Sequence, residues 1–372
     1  MNKICFILAF LPMALSAQSP ETVEMYNKGV AAAQEKDHPT AIKLYTKALE
    51  IDPMYPVAYY GRATAKMALK EYDEAAKDFA KCIKLEPKHI KANYYLGYCE
   101  MKTKAYDRAI ASFTKAVEND PDLTKAYYYR GYIQMNEKNY EKAASDFKKT
   151  VDLDKENTKA YYYMGKCLDK SGKKDLAKTA YASAIASDSK YVPALYENAK
   201  LYYKAKDYNS ATEAFSKVIA VEDDNIDAYN YRAMSYLKND QLEESAADFE
   251  KLVLLSPDNK NAWTNKGVVS IKLKDYETAA DDYSKLIELE PTNLSFYKNR
   301  SVAYIQLEKW EQALSDLNTL IDKSPENGDA FYNRSNVHLQ LKDQSKACED
   351  MRESAKLGFD QAFNYISGLC DQ

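Results

Sequence analysis

The chain has 372 residues, 46% of them apolar, with only 10 Gly and 11 Pro and a formal charge of −4. So few turn formers argue against a β-rich fold, while the apolar fraction is ample for a core. The small negative charge gives no general attraction for phosphate backbones and speaks against nucleic-acid binding.

At the N-terminus, residues 1–17 carry one cation, Lys3, then the apolar run Ile4–Leu15, then the small residues Ser16 and Ala17. A run this short, interrupted by Pro12, falls below the roughly 20 residues a spanning helix needs. Its order of charge, apolar stretch and small residues predicts a secretory signal peptide cut after Ala17, and hence an exported chain, periplasmic or secreted. No transmembrane segment is expected elsewhere.

From Thr22 to Gln361 a block of 34 residues recurs ten times without insertion or deletion, at 22–55, 56–89, 90–123, 124–157, 158–191, 192–225, 226–259, 260–293, 294–327 and 328–361. Each block holds a small residue such as Ala75 or Ala143, with a large one such as Phe79 or Phe147 four places later. That spacing is one helix face fitted against a close neighbour. A second small residue stands twelve places earlier, as at Gly97 or Gly165, so each block is predicted to be a helix pair. Pro53, Pro87, Pro121, Pro257, Pro291 and Pro325 follow the second helix and are expected to fix its stop. Lys155, Ser189 and Asp223 stand at that place in blocks four to six.

The period and these residues resemble the tetratricopeptide repeat, most completely over Ala126–Leu153 and Ala262–Pro291. The short leader and the Lys, Tyr and Asn usage are similar in style to exported repeat proteins of the Bacteroidota. The resemblance implies an all-α chain, a right-handed α-solenoid of ten helix-turn-helix repeats. It also implies that the inner groove, lined by first helices, holds peptides or protein segments. Each repeat of such an array buries its apolar face on its neighbours, so residues 18–372 read as one solenoid, closed by a capping helix at 360–370.

Ten copies of one block allow a comparison within a single chain. The residue before the first-helix small residue is basic in seven blocks, and six of those carry Asp sixteen residues later. The six are Arg62 with Asp78, Arg130 with Asp146, Arg232 with Asp248, Lys266 with Asp282, Arg300 with Asp316 and Arg334 with Asp350. Where the cation is replaced, by Leu96, Met164 or Asn198, the partner is Ser112, Ala180 or Ala214. Places that vary together are expected to touch, so these charges are predicted to be structural ion pairs rather than a ligand site.

The groove candidates lie on the first helices. Tyr94, Tyr128 and Tyr162 belong to a ladder that either stiffens the stack or offers apolar rings with polar tips for recognition. Lys91, Lys125 and Lys159 open three successive first helices, where the positive helix end disfavours a cation. With Tyr98 and Tyr132 they suggest a patch for carboxylate or other anionic groups. The Lys/Asn/Lys/Arg arrangement of the carboxylate-clamp family members is not reproduced. Asn265, Asn299 and Asn333 hold equivalent places in the last three blocks, and such a row can bind the backbone of an extended peptide.

In the tail, Cys348 and Cys370 flank Gly358, which permits a reversal that would bring the two thiols together as a disulfide. Ala362, Phe363, Ile366 and Leu369 follow helical spacing there. No cysteine has metal-ligand spacing, and no phosphate loop, nucleophile elbow or haem motif is found. Neither a metal nor a cofactor is expected. The sequence therefore reads as a non-enzymatic protein-protein interaction scaffold of a bacterial envelope, binding a protein or peptide in its groove. A glycan-binding solenoid using the groove tyrosines as stacking platforms is the alternative.

Overall fold

The structure, a computed structural model, describes residues 19–370; the expected leader at 1–17 lies outside them. Among the described residues every regular element is an α-helix. The chain divides into two compact units, Met1–Ser189 and Lys190–Gln372. The first holds α1 (Pro20–Gln34), α2 (His38–Ile51), α3 (Pro56–Ala68), α4 (Tyr72–Leu85), α5 (Ile90–Lys102), α6 (Tyr106–Asn119), α7 (Thr124–Asn136), α8 (Tyr140–Leu153), α9 (Thr158–Lys170) and α10 (Lys174–Ser187). The second holds α11 (Val192–Lys204), α12 (Tyr208–Val221), α13 (Ile226–Lys238), α14 (Leu242–Leu255), α15 (Lys260–Lys272), α16 (Tyr276–Leu289), α17 (Leu294–Gln306), α18 (Trp310–Lys323), α19 (Gly328–Gln340), α20 (Gln344–Lys356) and α21 (Asp360–Leu369). Within each unit a helix packs on the next along the chain. The result is an all-α repeat solenoid.

The turn inside each pair has a cost that the sequence does not advertise. Lys36, Lys70, Lys104, Lys138, Lys206, Asp240, Lys274, Glu308 and Lys342 all take φ near +60°, a region that favours glycine. The turn holds because it closes two backbone bonds: Lys36 N–H donates to Ala33 O at 3.1 Å and Asp37 N–H to Ala32 O at 2.9 Å, the Schellman arrangement that satisfies the last carbonyls of a helix. Only block five uses glycine there, Gly172 at φ +78°.

Proline does not fix the second-helix stop. Helices α8, α10 and α12 end at Leu153, Ser187 and Val221, in the same register as the proline-containing blocks. What the blocks share is the residue after the last turn, such as Asp52, Asp154, Asp188 or Glu222, which leaves the helix in extended geometry with its N–H still bonded four residues back. The proline follows a stop that the backbone has already made.

Each core layer fits the small-then-large pattern. Ala75, Phe79, Ala143 and Phe147 are fully buried, and a buried Phe stabilises by about 1.5–3 kcal/mol. The opposing first helix comes so close that a Cβ built on Gly165 would stand 2.7 Å from the Tyr181 ring. At the end of the second unit Cys348 and Cys370 form a disulfide, with Cα atoms 5.5 Å apart. It fastens α21, whose Ala362 is buried against Met351 and Ala355 while Phe363 stays 58% exposed. Phe363 stands one residue past Ala362, about 100° around the helix, and so points away from that contact. Cys82, Cys99 and Cys167 are unpaired and buried, and burial pushes each thiol up to about 12, which makes them inert packing residues.

Candidate binding faces of the first helices

The covarying charges meet. Arg62 Nε–H donates to Asp78 Oδ2 at 2.9 Å and Nη2–H to Oδ1 at 2.7 Å. The same fork joins Arg130 to Asp146, Arg232 to Asp248, Arg300 to Asp316 and Arg334 to Asp350. Lys266 Nζ–H reaches Asp282 at 2.6 Å. All six carboxylates are buried, so the pairs specify helix registration more than they add net stability. Each cation also reaches the preceding block: Arg62 to Thr46, Arg130 to Thr114, Arg232 to Ser216, Arg300 to Ser284, Arg334 to Asn318, and Lys266 to Glu250. The sequence carried that signal too, since an acceptor stands sixteen residues before every paired cation. These groups are occupied on both sides and hold repeats together.

On the first-helix face of the first unit, a cavity of about 450 Å³ is lined by Lys125, Tyr128 and Lys159 together with Thr124, Tyr129, Asp154 and Asn157. It lies where the first turns of α7 and α9 adjoin. Both lysines are exposed, and Asp154 accepts from Asn157 Nδ2 at 2.9 Å. Lys91, Tyr94, Tyr98, Tyr132 and Tyr162 do not line this cavity. The ladder rings are wedges as well as surface: Tyr128 meets Phe147 at 5.8 Å and Tyr163 of the next block at 6.2 Å. Tyr94 likewise meets Phe113 at 6.0 Å and Tyr129 at 6.3 Å. Burial raises the Tyr94 phenol and pushes that of Tyr60 up to about 12. Tyr98 packs beside Tyr129 at 5.6 Å, with the Lys102 ammonium 5.2 Å from its centroid, and Tyr162 lies 6.1 Å from Tyr181. Tyr132, 36% exposed, is the freest of the set.

The second unit presents different chemistry on its own first helices. A cavity of about 290 Å³ is lined by Asn265 with Asn230, Asn261, Thr264, Tyr203, Tyr231 and Met234. Asn299 and Asn333 do not line it; Asn333 Nδ2 donates to Asp329 O, one turn back, at 2.9 Å. Sequence reasoning passed over Asn230, Asn261 and Thr264. The signal lay in the interruption of the tyrosine ladder: Asn230 and Thr264 hold the ladder's place, and Asn261 holds the place of Lys91, Lys125 and Lys159. Among the described residues no group of His, Cys, Asp and Glu could hold a metal ion.

Family models described as tetratricopeptide repeat match residues 32–77, 60–124, 124–157, 159–190, 230–293 and 299–358. The chain belongs to the tetratricopeptide-repeat family. It is similar in fold to the C-terminal part of a tetratricopeptide-repeat protein from Cytophaga hutchinsonii, at 20% identity and TM-score 0.56, over 64% of this chain and 98% of that one. A structure of Naa15/Naa10 bound to HypK-THB matches at 13% identity and TM-score 0.52, over 91% of this chain and 63% of that one. No curated protein sequence matches. As a tetratricopeptide-repeat chain it is a protein-interaction scaffold, and the matching models are all of this repeat. No helix among the described residues is long and apolar enough to cross a membrane.

Proposed function

We propose that this tetratricopeptide-repeat chain is a non-enzymatic scaffold of the bacterial envelope that binds an extended protein segment along its first-helix face. The observation that carries the reading is the convergence of Lys125, Lys159 and Tyr128 on one cavity. Two ammonium groups at adjoining helix N-termini work against the helix dipoles; an anionic ligand group between them relieves that cost, with the Tyr128 ring as an apolar wall beside it. In the second unit the Asn230, Asn261 and Asn265 amides offer donors and acceptors without net charge, suited to peptide backbone rather than to an acidic side chain. The leader-like residues 1–17 and the Cys348–Cys370 disulfide support export.

The test is calorimetric titration of residues 18–372 with extended peptides that are acidic or neutral. An acidic peptide should bind wild type and lose at least about tenfold in affinity in Lys125→Glu/Lys159→Glu, with binding weakened by salt. Equal affinity in the variant would remove the cavity from the binding site, and displacement by oligosaccharide but not by peptide would favour a glycan ligand.

A further inference from the structure

Block five departs from the repeat pattern at three places at once. Met164 stands where six blocks have the paired cation, and Ala180 where they have its aspartate. Leu176, one turn before Ala180, occupies a place that is polar in the other nine blocks, and Leu168, one turn after Met164, adds an apolar side chain at a place that varies from block to block. All four line one cavity of about 540 Å³. Its wall is the Tyr161 ring. The ring equivalents Tyr59, Tyr127, Tyr229, Trp263, Tyr297 and Phe331 each lie 5.4–5.8 Å from the cation of their own block, whereas no cation accompanies Met164. The charge pair is absent: Ala180, at the aspartate place, is buried at 1%, and Leu176 stands 57% exposed beside the cavity.

We infer that this slot is a second docking site, which takes the apolar side chains of one uncharged amphipathic segment of a partner protein. Three apolar replacements made only for packing would fill the gap, and here they line it with Leu168. The volume is that of ligand pockets in general. The rim sets the class of occupant. Lys148 pairs with Asp152 at 2.9 Å and Lys173 with Glu141 at 2.8 Å, so the charges around the slot neutralise one another and give an ionic ligand nothing to pair with. An apolar centre inside a polar, satisfied rim is the anatomy of a protein interface. The contrast with the lysines of the first-helix face separates the two sites by chemistry.

The closing experiment uses residues 18–372 and the variant Met164→Arg/Ala180→Asp, which rebuilds in block five the pair that six blocks already hold. Nile red, an uncharged apolar dye, reports the open slot, and a displayed library of helical peptides is selected on wild type and counter-selected on the variant. Dye and selected peptides, with apolar residues at i, i+4 spacing, should bind wild type at least about tenfold more tightly than the variant, and the peptides should slow amide exchange in α8–α10. The surface variant Leu176→Lys, which carries the residue of blocks four and ten, should weaken both without loss of thermal stability. Equal dye binding by wild type and variants overturns the slot. Peptide selection that yields no variant-sensitive sequence, dye displacement by a monoacylglycerol alone, or self-association of wild type that the variant abolishes each overturns the partner segment as its occupant.

Discussion

Blocks three, four and five solve one structural place in three ways. Block four fills it with a bidentate ion pair, Arg130 on Asp146, tied to Thr114 of the block before. Block five has neither charge and leaves a cavity. Block three has lost the pair through Leu96 and Ser112 but supplies a carboxylate from the next turn: Ser112 Oγ–H donates to the buried Glu100 at 2.6 Å, and Arg108 stands 3.9 Å away. The backbone is the same in all three, so the pair is not needed to form a repeat. Each of the six aspartates buried in this layer comes with its own cation.

The largest expected effect breaks the pair on one side. Arg130→Met leaves Asp146, 6% exposed, without its guanidinium and should cost about 3–5 kcal/mol in urea unfolding. Arg130→Met/Asp146→Ala transplants the block-five solution and should recover most of that loss. A double variant as unstable as the single would show that guanidinium packing, not charge, dominates.

A smaller effect compares the glycines of the two blocks. Gly165→Ala drives a Cβ to 2.7 Å from the Tyr181 ring and should destabilise by about 1–3 kcal/mol. Gly131→Ala meets Asp146 Cβ at 3.1 Å, and the gain in helix propensity, up to about 1 kcal/mol, offsets part of the strain. Thermal midpoints should therefore rank wild type above Gly131→Ala, with Gly165→Ala lowest. The reverse order of the two alanines would show that Tyr181 swings aside.

The smallest effect sharpens the case of block three. Burial lifts the Glu100 carboxyl above the ordinary carboxylate range, opposed by the Ser112 bond and by Arg108. A carboxyl raised in the fold keeps its proton there while the unfolded chain loses it. Its contribution is therefore fully present below the unfolded value, about 4.3, and is lost as pH rises through the folded value. Glu100→Gln should be more stable than wild type at neutral pH and lose that advantage on acidification. A stability difference that does not change with pH would mean that the Glu100 carboxyl titrates alike in the folded and the unfolded chain.

Much of this architecture was legible because a repeat supplies its own comparisons. The small and large places of each helix pair, the six charge pairs and the cap could be read off one chain, since equivalent residues recur every 34 places. The exception at Met164 and Ala180 was equally visible; that it opens a cavity was not, because a pattern of residue types does not say whether neighbouring side chains close over a gap. The proline stop misled for a related reason. Proline is compatible with a stop, but Leu153, Ser187 and Val221 end their helices without it.

The sequence by itself determined the helix pairs, their period and which residues pair across them, because these depend on spacing along the chain and on the chemistry of two side chains. Only the tertiary structure decided which candidates share a site. Lys125 and Lys159 meet beside Tyr128 while Lys91 stands apart, and Asn265 joins Asn230 and Asn261 rather than Asn299 and Asn333. Register fixes a residue's place on its own helix. Convergence depends on how adjacent helices incline and how rings such as Tyr129 and Tyr163 wedge between them, which no residue specifies alone.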